Sequence, residues 1–193
     1  MKKIKARPDI FKETTVVLVK PDGVRRALVG EILGRFEKVG LKIVAMKLIW
    51  VDRDRVAKHY KDEKEYLTSV GKRALADYEK FGFDPGESLG TSDAYKIGQM
   101  VRMWNMDALT DGPVVALLLE GINAIEIVRK MTGATNTTEA IPGTIRGDFS
   151  ADTPVLATLE KRPVRTIIHS SGNREEAEFE KKLWFKRNEI YSY

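Results

Sequence analysis

The chain has 193 residues, of which 42% are hydrophobic and 32% charged, enough apolar surface for one domain with its own core. Lysine and arginine outnumber aspartate and glutamate by 33 to 28, a net charge of +5, which fits a small anionic ligand, weak nucleic-acid affinity or a solvated surface. Cysteine is absent, which excludes disulfides and thiolate metal sites. The basic opening MKKIKARPDIFKETTVVLV has too short and interrupted an apolar run for a signal peptide, and no stretch is long enough to span a bilayer, so a soluble cytoplasmic protein is expected.

TTVVLV (Thr14–Val19) is β-branched and reads as a buried strand, closed by the turn KPDG. Leu28, Ile32, Leu33, Phe36 and Val39 then share one helical face, with Gly40 as the stop. Leu41–Val51 has no helical stripe; Val44, Met46, Leu48 and Trp50 alternate onto one face, so a long strand is expected. A helix follows over Arg53–Tyr60. Helical spacing returns over Glu63–Lys80 (Leu67, Val70, Ala74, Leu75, Tyr78) and Ala94–Ala108 (Ile97, Met100, Val101, Trp104), with Ser92 or Asp93 as cap and a loop, DPGESLGTS, between. Such stripes are ordinarily core-facing. Pro113–Leu119 is a buried strand and Ile122–Met131 a helix. The Gly-, Thr- and Pro-rich stretch that follows is long for a structureless loop in a compact domain, which marks it as functional or disordered. Val164–Ile168 is the last strand, and a helix starts near Arg174. Pattern alone gives a single α/β or α+β domain and does not order its strands.

One of the two histidines, His169, comes directly after that last strand. Asn173 and Glu176 form an N-cap and capping-box pair, so a helix N-terminus lies just beyond it. Glu180 falls on the same helical face as Glu176, one turn on. A carboxylate there can accept from one ring nitrogen of His169 and leave the other as a neutral nucleophile. Taken alone, this stretch is read more readily as a satisfied structural histidine beside a solvated acidic helix.

The segments VVLVKPDGVRRALVGEILGRFEKVGLKIVAMKL, HY, GPVVALLLEG, VRKMTGATN, PGTIRGDF, IIHSS and EFEKKLWF occur in this order. Together they resemble the nucleoside diphosphate kinase family, over most of the chain outside about residues 61–93 and 150–162. The resemblance implies a ferredoxin-like sandwich, a four-stranded antiparallel sheet covered by helices, here as one domain over 1–193 with insertions at those two places. It implies ping-pong transfer of a γ-phosphate from a nucleoside triphosphate such as ATP or GTP to a nucleoside diphosphate, through a phosphohistidine on the pros nitrogen (Nδ1) of His169. Glu180 matches the glutamate that orients the nucleophile, Ser171 a nearby hydroxyl, and Tyr60 a tyrosine beside the site; His59 reads as structural. Lys20, Arg129 and Arg146 match the cations of the nucleotide site, and Thr135 a hydroxyl that reaches a phosphate oxygen.

The chemistry agrees with that set, since phosphoryl transfer asks chiefly for in-line placement and positive charge. No Gly-x-x-x-x-Gly-Lys-Ser/Thr loop is present, and no His/Asp/Glu cluster has the spacing of a metal cage. Mg²⁺ is therefore expected to arrive with the nucleotide phosphates, with no protein side chain as its ligand. The chain departs from the family in three ways. Thr166 stands where the family usually has the Asn that meets the sugar 3′-hydroxyl. The base-stacking aromatic is not at an aligned position, Tyr95 being the nearest. The two insertions are the third departure, and the first is expected to pack over or beside the base. A homo-oligomer, hexamer or tetramer, is implied; membrane and nucleic-acid partners are not expected. The rival is a relative that uses the fold only to bind nucleotide, nucleic acid or protein, for which the set His169, Lys20, Arg146 and Glu180 would be superfluous.

Overall fold

The computed structural model describes residues 11–193, so the basic opening of the chain lies outside the described residues. Four strands, β1 (Lys12–Val19), β2 (Lys42–Ile49), β3 (Val114–Ile122) and β4 (Ile168–Ser170), form one sheet in the order β2-β3-β1-β4, with every neighbouring pair antiparallel. The helices are α1 (Pro21–Arg25), α2 (Val29–Lys38), α3 (Arg53–His59), α4 (Lys64–Phe81), α5 (Pro85–Leu89), α6 (Ala94–Thr110), α7 (Ala124–Thr132), α8 (Ile145–Phe149), α9 (Pro154–Leu159) and α10 (Arg174–Trp184). This is the expected ferredoxin-like α+β sandwich.

Strand periodicity divides the core. Val16 and Leu18 of β1 and Ala116 and Leu118 of β3 face a layer made by Val56, Met106, Leu109, Trp184 and Phe185. Val17, Val19, Leu117 and Leu119 face Ile32, Phe36, Val128 and Ile145 on the other side. A central strand buried on both faces reads as a continuous apolar run, as TTVVLV does. Among the described residues, no helix is long and apolar enough to cross a membrane.

Three expectations about elements change. The alternation read into β2 does not put its face in the core: Val44 is buried, but Met46, Leu48 and Trp50 are 58%, 65% and 69% exposed. A register shift between Ile43 and Ala45 puts Val44 and Ala45 both in the first core layer, and the residues beyond change sides. The last strand is not Val164–Ile168 but Ile168–Ser170, because a tight turn occupies the preceding residues; His169 therefore lies within the strand, opposite Leu18. The loops are also more ordered than their composition suggests. DPGESLGTS contains α5, and the stretch after α7 contains α8 and α9 as well as a single 3₁₀ turn over Thr137–Glu139. Ile122 closes β3 and the following helix starts at Ala124.

The segment read as the first insertion builds a layer of its own. α4 packs along α6 so closely that a Cβ at Gly71 would overlap the Ala94 carbonyl, and one at Gly98 the Leu67 carbonyl. Tyr78, Leu89 and Ile97 form its small core, joined by Ala74, Leu75, Met100, Val101 and Trp104 of the expected stripes and by Leu159 of α9. The α4–α5 segment and α9 thus meet each other. Asp93, not Ser92, caps α6, accepting from Lys96 N–H at 3.0 Å.

Candidate active site

β1 and β4 deliver the two ends of the site. Lys20 follows the last residue of β1, and its backbone N–H donates to Ile167 O at 2.7 Å, which ties the KPDG turn to the segment leading into β4. His169 is held by pairing with β1, and α10 starts four residues after β4. Asn173 caps that helix as expected, accepting from Glu176 N–H at 2.9 Å. Glu176 does not close the second half of the box on Asn173; its carboxylate accepts from Gly172 N–H, also at 2.9 Å.

Glu180 is buried, and its two oxygens are divided between His169 Nε2 at 2.8 Å and the Ser171 hydroxyl at 2.6 Å. Burial by itself would raise this carboxyl, but His169, with smaller help from His59 and Ser171, holds it below the usual glutamate range. An ionised Glu180 accepts from Nε2–H, which fixes the tautomer and leaves Nδ1 of His169 with a free lone pair. Ser171 is fully buried and also bonds the Val16 backbone, so its hydroxyl acts on Glu180 and through it on His169.

His59 packs edge-on against His169, ring centroids 4.5 Å apart, and against Tyr60 and Trp184. Trp184 Nε1–H donates to His59 Nδ1 at 3.3 Å. Burial, then the neighbouring His169, pushes the His59 pKa down to about 3, so this ring is neutral. His59, His169 and Glu180 offer ligand atoms within 4.8 Å of one another, a proximity that spacing in the sequence did not reveal. Those atoms are already committed among themselves and to Ser171 and Trp184, which makes the group a hydrogen-bonded cluster. Tyr60 packs beside it at the end of α3, and burial pushes its phenol up. Arg102 of α6 donates to the Tyr60 and Ala57 carbonyls at 3.0 and 2.9 Å, so the α6 layer fixes where α3 ends.

The cations come together from three elements. Lys20 Nζ is buried and donates to Thr166 Oγ1 at 3.0 Å and Val164 O at 3.4 Å. Burial lowers its pKa, Asp22 opposes that, and Arg146 adds to it. Arg146 is buried and donates to Gly133 O (2.9 Å), Thr135 Oγ1 (3.2 Å) and Ile168 O (2.9 Å). Burial and then Arg129 bring it down to about 10, still cationic at neutral pH. Arg129, on the last turn of α7, lies by the β4–α10 loop: a Cβ at Gly172 would come within 3.2 Å of its Nη1. Three cations drawn from separate elements toward one imidazole make an arrangement that can receive a polyanion.

Of the residues expected from sequence, His169, Glu180, Ser171, Tyr60, Lys20, Arg129, Thr135, Arg146 and Thr166 fall in one region. Tyr95 does not join them through any ring contact or hydrogen bond among the described residues; its ring lies 5.8 Å from Lys64 Nζ. Sequence reasoning passed over Trp184 and Asp22. Trp184 was findable as the residue one helical turn beyond Glu180. Asp22 read only as a turn former.

The sequence profile of the family described as nucleoside diphosphate kinase matches residues 13–69 and 98–190. The match breaks across the α4–α6 connection and runs on through 150–162. Among curated proteins, the nucleoside diphosphate kinase of Pyrobaculum aerophilum is 43% identical over 178 residues, covering 92% of this chain and 97% of that one. A crystal structure of an NDP kinase from the same organism superimposes with a TM-score of 0.91 at 41% identity, over 94% of this chain and all of that one. A transition-state mimic of the nucleoside-diphosphate kinase of Borrelia burgdorferi, with bound vanadate and ADP, gives a TM-score of 0.74 at 35% identity, over 95% and 93%.

Proposed function

The chain belongs to the nucleoside diphosphate kinase family, and on that premise we propose that it moves the γ-phosphoryl group of a nucleoside triphosphate to a nucleoside diphosphate by way of His169. The observation that carries this reading is the 2.8 Å contact between Glu180 and His169 Nε2 beside the cations Lys20, Arg129 and Arg146. Nδ1 attacks the γ-phosphorus in line; the bond from phosphorus to the β–γ bridging oxygen breaks, and the diphosphate leaves. A second diphosphate then attacks the phosphorus on Nδ1 with a β-phosphate oxygen, and His169 returns to neutrality. Glu180 stabilises the charge that grows on the ring, and Ser171 fixes Glu180. Lys20, Arg129 and Arg146 balance the charge on the transferring group and on the leaving phosphate, where one donor commonly contributes about two to three orders of magnitude. Thr135 offers its hydroxyl to a phosphate oxygen, and Thr166, already bonded to Lys20 Nζ, meets the sugar side of the nucleotide.

Mg²⁺ fits as an ion carried by the phosphates, since Lys20, Arg129 and Arg146 are cations and Glu180, the carboxylate beside His169, is already shared between His169 and Ser171. When bound it supplies further charge neutralisation on those phosphates. A pure binding module would gain nothing from a carboxylate that selects the histidine tautomer. The reading extends to a cytoplasmic homo-oligomer: Met46 and Leu48 stand exposed on the edge strand β2 and Trp50 just beyond its end, which is the kind of surface a second copy covers. Incubation with γ-labelled ATP and no acceptor should leave acid-labile, base-stable label on the protein, and His169→Ala should abolish it. Label that survives this substitution overturns the assignment.

A further inference from the structure

Ile167 has the backbone least explained by local preference. It is β-branched, 0% exposed, and has φ +66°, a region that such residues enter only under constraint. Across it Ile168 N–H donates to Thr166 O at 2.6 Å, closing a three-residue γ-turn. The turn is flanked by functional groups: Thr166, whose hydroxyl holds Lys20 Nζ, lies on one side, and His169 lies two residues along on the other.

Both peptide groups of Ile167 are gripped by the four-residue segment Lys20–Gly23. Lys20 N–H donates to Ile167 O at 2.7 Å, and Asp22 Oδ2 accepts from Ile167 N–H at 2.9 Å. Gly23 lets the two segments close on each other, since a Cβ there would lie 2.8 Å from Ile167 Cγ2 and 3.0 Å from Ile167 O. Among the described residues, the other oxygen of Asp22 is buried without a partner. The Ile167 N–H is thus the one hydrogen-bond donor this half-buried carboxylate meets among the described residues.

We infer that Asp22 is a positioning residue for phosphoryl transfer: its carboxylate holds the Ile167 turn in its unfavourable conformation, so that Lys20 and His169 face the same phosphate. The inference rests on the phosphohistidine reading above. Without the Asp22 bond, Ile167 relaxes toward ordinary backbone angles, and Thr166 and His169 shift with respect to Lys20.

The test is single-turnover labelling of the full chain by γ-labelled ATP, with ATP affinity measured separately on the His169→Ala background. Asp22→Ala should slow labelling about tenfold to a hundredfold, as for other supporting carboxylates, while affinity changes less than about threefold, which separates positioning from binding. Asp22→Asn, which still offers an oxygen to Ile167 N–H, should stay within about fivefold of wild type if the hydrogen bond and not the charge matters. Glycine adopts positive φ without penalty, so Asp22→Ala/Ile167→Gly should label faster than Asp22→Ala/Ile167→Ala, which truncates the same side chain and keeps the strain. Should Asp22→Ala not fold, the single variants Ile167→Gly and Ile167→Ala carry the comparison, with glycine again the faster. Wild-type rates in Asp22→Ala, an Asp22→Asn variant as slow as Asp22→Ala, or no advantage of glycine over alanine each overturns the inference. Absence of label on the wild-type protein would instead overturn the phosphohistidine reading itself.

Discussion

Around His169 the side chains that matter are polar and most are hydrogen-bonded to a partner, whereas the α4–α6–α9 layer is held by apolar contacts and by glycines at a helix crossing. Glu180 meets His169 and Ser171, Arg146 meets two carbonyls and Thr135, and Lys20 meets Thr166. In the layer, Tyr78, Leu89, Ile97 and Leu159 simply exclude water, and the Tyr78 hydroxyl is buried without a partner. The difference teaches where tolerance lies. Losing one member of the polar cluster leaves another group misdirected or unpaired, while losing one contact of the layer removes only its share of burial. Substitutions in the first region should therefore change rate, and those in the second should change stability.

The strongest way to break this contrast is to remove a cation. Lys20→Ala and Arg146→Ala should each lower steady-state turnover by about two or more orders of magnitude; near-normal turnover in either would make that residue an ordinary structural charge. Glu180→Gln should slow single-turnover phosphorylation about tenfold to a hundredfold with little change in nucleotide affinity, and an unchanged rate would remove Glu180 from the mechanism.

His59 sharpens the contrast through pH. Its folded pKa, about 3, lies far below the ordinary 6.5, so between these values the unfolded chain binds a proton that the folded protein refuses. Stability is then complete above pH 6.5 and falls by about 1.4 kcal/mol per unit below it. Glu180, held below the usual glutamate value of 4.5, adds its own loss only under that pH. Urea unfolding at intervals from pH 7 to 5 should show this slope in the wild type, and a shallower one in His59→Asn. Equal slopes would mean that His59 is not kept neutral by its site.

Two substitutions probe the layer. Leu159→Ala should cost roughly 1–3 kcal/mol, as for a partly buried large-to-small change, with phosphorylation at the wild-type rate; a comparable loss of rate would show that the layer carries chemistry. Tyr78→Phe removes a buried hydroxyl that has no partner and should be neutral or stabilising by up to about 1 kcal/mol. A clear drop in melting temperature would reveal a partner for that hydroxyl.

The sequence makes some of this plain because the signals are local. β-branched runs gave β1 and β3, and Asn173 fixed the start of α10. The Glu180–His169 contact followed from helical spacing and a cap. What was not legible depends on distant neighbours. One irregularity after Ile43 reversed the facing of Met46, Leu48 and Trp50, and no residue type announces it. The start of β4 was misread because an isoleucine at positive φ contradicts its own preference and is held there by residues 145 positions away. Trp184 and His59 are 125 residues apart, and their bond exists only once α3 and α10 pack on the same face of the sheet. Lys20, Arg129 and Arg146 were each unremarkable as surface charges; motif resemblance grouped them before folding geometry did.

Arg146 has a consequence for the timing of the reaction. Its guanidinium reaches Gly133 and Thr135 in the loop after α7 and, on its other nitrogen, Ile168 at the start of β4. Swinging that loop aside would strip two of the three hydrogen bonds from a buried cation, so the loop is a fixed jamb and not a swinging door. On that side of the site, nucleotides then pass a wall that stays in place. Turnover in viscous solvent should slow only as far as diffusion of the nucleotide does, without the steeper dependence of an enzyme that waits for a flap.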